Sequence, residues 1–185
     1  AEFEQKISDG SVADCFHRIP VKAGDTIFLP SGRVHAIGDG LVIFEIQQNS
    51  DTTYRVFDWN RVGLDGKSRE LHVAQSLASI DFNDFEPKLV PANYRQGPSF
   101  KFRQLVEDPL FNVQELVFDN AGSVKLAGSY LRIVAVTKGA AKISDDGSGN
   151  IPELKAGDFC LIPASLKNVT VKAAANTSFL VTEAN

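Results

Sequence analysis

His35, Glu45 and Arg55 are the residues in the first third of the chain whose types and settings could do chemistry. His35 lies inside an apolar run, "RVHAIGDGLVIF". An imidazole in that setting is either a core residue with a satisfied ring or a metal ligand. Glu45 follows ten residues later in "VIFEIQ". In an extended strand, Glu45, Gln47 and Asn49 share one face, and Phe44, Ile46 and Gln48 share the other. That polar face either lines a cavity or meets solvent. Arg55 ends "SDTTYR". A planar, permanently charged fork suits a phosphate or a developing oxyanion, and in a loop it is equally a solvated charge. Arg61, in "DWNRVG", fits either a phosphate contact or a surface turn. His17 reads as a structural residue; His72, just before a predicted helix, could orient a neighbour and is read as structural.

The elements that must position these residues are mostly strands. Fourteen glycines and eight prolines punctuate short apolar runs. "DTIFLP", "GLVIFEIQ", "FNVQELVF", "YLRIVAVT", "DFCLIP", "NVTVKAA" and "SFLVTE" are rich in Val, Ile, Phe and Leu and are bounded by turn residues, so each is predicted as a strand. One short helix is expected over 73–80, where Val73, Leu77 and Ile80 fall near helical spacing. The opening "AEFEQKISDG" shows no clear structural start. Residues 84–98 hold Pro87, Pro91 and Pro98 and read as a connector.

An internal repeat organises the rest. "VKAGDTIFLPSGRVHAI" and "LKAGDFCLIPASLKNVTV" share Lys-Ala-Gly-Asp, then a proline six residues after the glycine, then a polar residue five further on. Gly24 matches Gly157, Asp25 matches Asp158, Pro30 matches Pro163, and His35 matches Asn168. The pattern reads as turn, strand, tight turn and returning antiparallel strand. Repeated all-β units of this kind close into jelly-roll barrels that hide their strand edges. The expected fold is therefore all-β, with two jelly-roll barrel units and one short helix. Residues 1–83 form the first unit with the helix, 84–98 the connector, and 99–185 the second unit.

Bulk properties narrow the partners. The chain has 185 residues, a net charge of −4, 43% hydrophobic and 23% charged residues. That is enough chain to build a core without disulfide or metal support. With no basic stripe, nucleic acid is not an expected partner. No apolar run reaches the roughly 18–20 residues of a membrane span, and no signal peptide is visible. Cys15 and Cys160 read as free buried thiols of a cytoplasmic protein. The chain contains no methionine, so it is expected to be part of a longer product.

Two motifs carry a resemblance. The pattern G-D-x4-P-x4-H resembles the second half of the cupin signature, whose histidine binds a metal. The longer stretch "RVHAIGDGLVIFEIQQNSDTTYRVFDW…GKSRELHV" resembles type I mannose-6-phosphate isomerases, a zinc-dependent bicupin family. Residues 16–82 carry this likeness strongly, and those after about Pro98 only as a second cupin barrel. It implies interconversion of mannose 6-phosphate and fructose 6-phosphate through a cis-enediol. It implies one zinc ion held by His35, with further ligands upstream of residue 1 in a missing N-terminal portion. The first barrel would then be incomplete and the chain alone inactive. It assigns Arg55 as the catalytic residue, with Glu45 and Arg61 contacting a sugar-phosphate substrate. Asn168 replaces histidine in the second copy, so no metal is expected there. A non-catalytic sugar-phosphate-binding cupin remains an alternative. A structural bicupin of the seed-storage kind leaves the polar "EIQQNSDTTYR" stretch unexplained.

Overall fold

The computed structural model describes residues 2–50, 52–145 and 153–184. It divides into two compact units, Ala1–Leu89 and Val90–Asn185. The division falls inside the 84–98 stretch.

Among its described residues, the second unit is built from strands alone. These are β1 (Arg95–Gln96), β2 (Lys101–Glu107), β3 (Phe111–Phe118), β4 (Gly122–Ala127), β5 (Leu131–Lys138), β6 (Ala140–Asp145), β7 (Glu153–Lys155), β8 (Phe159–Ile162), β9 (Asn168–Ala173) and β10 (Thr177–Ala184). All five runs predicted as strands in this half form strands. They make a six-stranded sheet in the order β1-β2-β3-β10-β5-β8 and a four-stranded sheet in the order β4-β9-β6-β7. Every pairing is antiparallel. Alternation decides the faces: Val134 and Val136 of β5, Leu116 and Phe118 of β3, and Phe179 and Val181 of β10 all point into one core. Val169 and Val171 of β9 and Ile143 of β6 meet them from the other sheet. Phe118 stacks on Phe179 with ring centroids 5.7 Å apart. Each fully buried Phe of this kind contributes about 2–3 kcal/mol of apolar transfer free energy.

The first unit departs from the all-β expectation. It holds α1 (Glu2–Asp9), a 3-10 turn (Ser11–Cys15) and α2 (Val73–Ser79). The helix over 73–80 is thus present, and the opening stretch, whose sequence shows no clear structural start, is helical. Phe3 and Ile7 lie four apart and face the same way, and Glu2 pairs with Lys6 at 3.8 Å across one turn. Ile7, Val12 and Val56 are buried together, with Phe16, Val34, Phe57, Val73, Leu77 and Ile80 packed around them.

The runs 25–30 and 40–47 form no strand, which corrects both predictions. A strand needs a partner for its backbone groups, and among the described residues no ladder engages either run. Leu41, Val42, Ile43 and Phe44 are exposed in consequence. Both cysteines are free, but Cys15 is exposed and Cys160 only half-buried, so neither is the fully buried thiol expected. No described helix is long and apolar enough to cross a membrane.

Candidate active site

The site around Arg55 is a two-sided ribbon. Residues 55–58 run out and 69–72 run back, tied at both ends. At the open end, His72 N–H donates to the Arg55 carbonyl at 2.8 Å, and Arg55 N–H donates to His72 Nδ1 at 3.2 Å. At the turn end, Arg69 Nε donates to Asp58 Oδ2 at 2.8 Å, and Arg69 Nη2 closes the fork on Oδ1. Between the two, Val56 enters the core of the first unit. The inward Val56 therefore fixes the depth of the ribbon, and its neighbours Arg55 and Asp58 take their places from it.

The turn itself is unusual. Trp59 and Asn60 both have positive φ, 51° and 53°. Asn tolerates this region, whereas a Trp there costs on the order of 1–2 kcal/mol. The Arg61 N–H donates to the Asp58 carbonyl at 3.0 Å and closes the turn. The Trp59 ring packs on Phe57 at 5.2 Å and on Phe16 at 6.4 Å, and the Arg61 guanidinium lies 5.6 Å from its centroid. Beyond it, an isolated bridge between Val62 and Ser68 brings the chain back.

Electrostatically, three guanidinium groups surround one carboxylate. Asp58 is buried. The Arg69 hydrogen bonds hold its carboxyl below the usual carboxylate range, with further lowering from the charges of Arg69, Arg55 and Arg61 and an opposing effect of burial. The partner Arg69 is correspondingly raised by the same hydrogen bond. Arg69 is committed to Asp58, so Arg55 and Arg61 supply the excess positive charge. Arg55 is half-buried and spends one donor, Nη1, on the Glu70 carbonyl at 3.3 Å. A guanidinium carries five N–H donors, so this bond orients the group and leaves others for an anion.

The remaining residues singled out in the sequence are placed differently. His35 is exposed, and its Nδ1 lies 3.2 Å from the Arg33 carbonyl. The turn before it is firm: Arg33 grips Asp84 through Nε and Nη2, both at 2.7 Å, and donates from Nη1 to the Phe28 carbonyl at 2.6 Å. Glu45 is exposed in the run 40–47, which forms no strand, so the strand parity expected for Glu45, Gln47 and Asn49 does not apply. Among the described residues no hydrogen bond or ion pair joins His35 or Glu45 to Arg55. Arg61 sits beside Asp58 and belongs to the arginine group. His17 is exposed.

A zinc site needs three or four ligands. No group of three or more His, Cys, Asp or Glu side chains comes together among the described residues. The residues described therefore do not by themselves fit zinc; His35 offers one imidazole. Sequence reasoning missed Asp58 and Arg69, and it favoured a structural role for His72 over orienting a neighbour. An acidic residue directly after the apolar pair Val56-Phe57 was the available signal for Asp58, because a carboxylate so placed requires a cation.

Against known proteins, no family model matches the chain. It is 33% identical to mannose-6-phosphate isomerase ManA of Bacillus subtilis (strain 168) over 165 residues, which are 89% of this chain and 51% of the relative. It is 35% identical to the mannose-6-phosphate isomerase of Streptococcus mutans over 169 residues, 90% of this chain and 51% of the relative. The crystal structure of the mannose 6-phosphate isomerase from Bacillus subtilis superposes with a TM-score of 0.83 at 26% identity, covering 98% of this chain and 56% of that one. The chain thus spans about half the length of the curated relatives it matches, and over that half it resembles mannose-6-phosphate isomerases in both sequence and fold.

Proposed function

We propose that the native-length protein interconverts mannose 6-phosphate and fructose 6-phosphate. The observation that carries this reading is the tethered Arg55, with Arg61 beside it and the Asp58 carboxylate already engaged by Arg69. In the reaction a base takes the C2 proton of the aldose, and the electron pair moves to leave negative charge on O1. The O2 hydroxyl proton passes to O1, the carbon-bound proton returns at C1, and O2 becomes the ketose carbonyl. Arg55 places fixed positive charge where the enediolate oxygens develop theirs, which is the form of assistance worth most in a water-poor site. Arg61 holds the phosphate, and Glu45 contacts sugar hydroxyls. The names of the relatives support mannose 6-phosphate as the aldose, and the family resemblance supplies fructose 6-phosphate as its partner. Zinc, with His35 as one ligand, enters through the family resemblance, its other ligands lying outside the described residues. The exposed apolar run 41–44 supports a further part of the reading. In the native-length protein this run pairs with strands outside the described residues and completes the first barrel.

A coupled isomerase assay on residues 1–185 and on the native-length protein tests this. Turnover is expected only from the longer protein. Arg55→Ala there lowers kcat by about 10²-fold or more, as loss of an oxyanion donor does. A rise in KM alone would make Arg55 a phosphate anchor. An inactive native-length protein that still binds the sugar phosphate would favour the non-catalytic binding alternative.

A further inference from the structure

We infer that His72 is the positioning residue of Arg55, an assignment that rests on the isomerase reading above. Three hydrogen bonds and one ring contact converge on this histidine. The backbone N–H of His72 donates to the Arg55 carbonyl, and the imidazole Nδ1 accepts the Arg55 N–H. The His72 carbonyl accepts the Ser76 N–H at 2.8 Å and so starts α2, and the Tyr54 ring packs against the imidazole with centroids 6.2 Å apart. Arg55 is therefore gripped through both of its backbone polar groups by one residue, and that residue is fastened to a helix.

The chemistry requires a particular form of the ring. A backbone N–H can only donate, so Nδ1 is the unprotonated nitrogen and the ring proton sits on Nε2. His72 is half-buried, which shields this bond from competing water. The Arg55 side chain is held at its far end by the Glu70 carbonyl, two residues before His72 on the same returning segment. Backbone and guanidinium are thus referenced to one short stretch, 70–72. Loss of the imidazole frees the Arg55 N–H and lets the 55–58 segment shift. Displacement of a charge-stabilising group by a fraction of an ångström is enough to lower the rate without changing what binds.

The test uses the native-length protein and four variants: Arg55→Ala, His72→Ala, His72→Asn and the double Arg55→Ala/His72→Ala. His72→Ala lowers kcat about tenfold with KM nearly unchanged. His72→Asn, whose Oδ1 can accept in place of Nδ1, restores most of that loss. The double variant is no slower than Arg55→Ala alone, because His72 acts only through Arg55. Wild-type turnover by His72→Ala, equal loss in His72→Asn, or multiplicative losses in the double variant would each overturn the assignment. If Arg55→Ala itself keeps its kcat, the role of Arg55 fails first, and that result is distinct from a slow Arg55→Ala beside an unaffected His72→Ala.

Discussion

In the first copy of the repeat, the Asp25 N–H donates to the Lys22 carbonyl at 3.0 Å, and the Lys22 N–H donates back to Asp25 Oδ2 at 2.9 Å. In the second, Asp158 and Lys155 make the same two bonds at 2.9 and 2.8 Å. Gly24 and Gly157 carry the turn at φ 90° and 95°, a conformation only glycine adopts freely. The later turns match as well: Arg33 N–H reaches the Pro30 carbonyl, and Leu166 N–H the Pro163 carbonyl. After these turns the copies diverge. In the second, Gly157 and Asp158 bond to Val136 and lead into β8, which pairs with β5. In the first, the same turns lead into runs that no described strand pairs.

The difference separates two levels of encoding. Four residues suffice for the turn, because its bonds are local. The strand needs a partner, and its stability belongs to the pair. The anchoring of the second turn differs too. Leu166 packs against the core, and its carbonyl accepts from buried Arg132 at 2.7 Å. The matching residue of the first copy is Arg33, fastened instead by its fork on Asp84.

Hydrogen exchange on residues 1–185 gives the largest expected contrast. The β8 amides that bond to β5 are protected by about a thousandfold or more, whereas amides 26–29 exchange within about tenfold of the unprotected rate. Equal protection of the two segments would break the comparison. Protection of 26–29 appearing only in the native-length protein would sharpen it, since the missing partner strands would then be supplied there.

This contrast also explains what the sequence made legible. Alternation and turn residues located all five strands predicted after residue 98, because each finds its partner within the described chain. The same signals at 25–30 and 40–47 named residues with strand preference but could not report whether a partner was present. In the site, Arg55 stood out by its motif. Asp58, Arg69 and His72 did not, because their roles arise when 69–72 folds back on 55–58, a pairing no local pattern announces. Helix α1 was missed because its Phe3–Ile7 spacing sits in a stretch of only eight residues, half of them charged.

A smaller effect is expected from the tight turn. Gly32 has φ 90°, and a Cβ there would lie 2.9 Å from the Ser79 carbonyl oxygen at the end of α2. The backbone around it is itself engaged, since the Asp81 N–H donates to the Gly32 carbonyl at 3.0 Å. Gly32→Ala combines left-handed strain with this clash and destabilises the first unit by about 2 kcal/mol or more. The matching residue of the second copy, Ser165, is exposed, and Ser165→Ala stays within about 0.5 kcal/mol. Thermal unfolding of both variants decides this. A harmless Gly32→Ala would show that the turn is not held against α2.

The subtlest contrast lies in the paired aspartates. Asp158→Ala removes the bond to the Lys155 N–H, a loss of about 1 kcal/mol. The second turn is joined through Val136 to β5, so that loss is transmitted to the cooperative core of its unit. A domain of this size then unfolds about 4–8 °C lower. Asp25→Ala removes the same bond from a turn with no such ladder behind it. A local loss in a segment that opens independently leaves the global transition where it was. The expected result is therefore a clear shift in Tm for Asp158→Ala, partial recovery in Asp158→Asn, which keeps an acceptor oxygen, and no shift for Asp25→Ala. Equal shifts for the two alanine variants would mean that the first turn is coupled to its unit as tightly as the second. Its coupling would then have to run through the Arg33–Asp84 fork, and Asp84→Asn should abolish it.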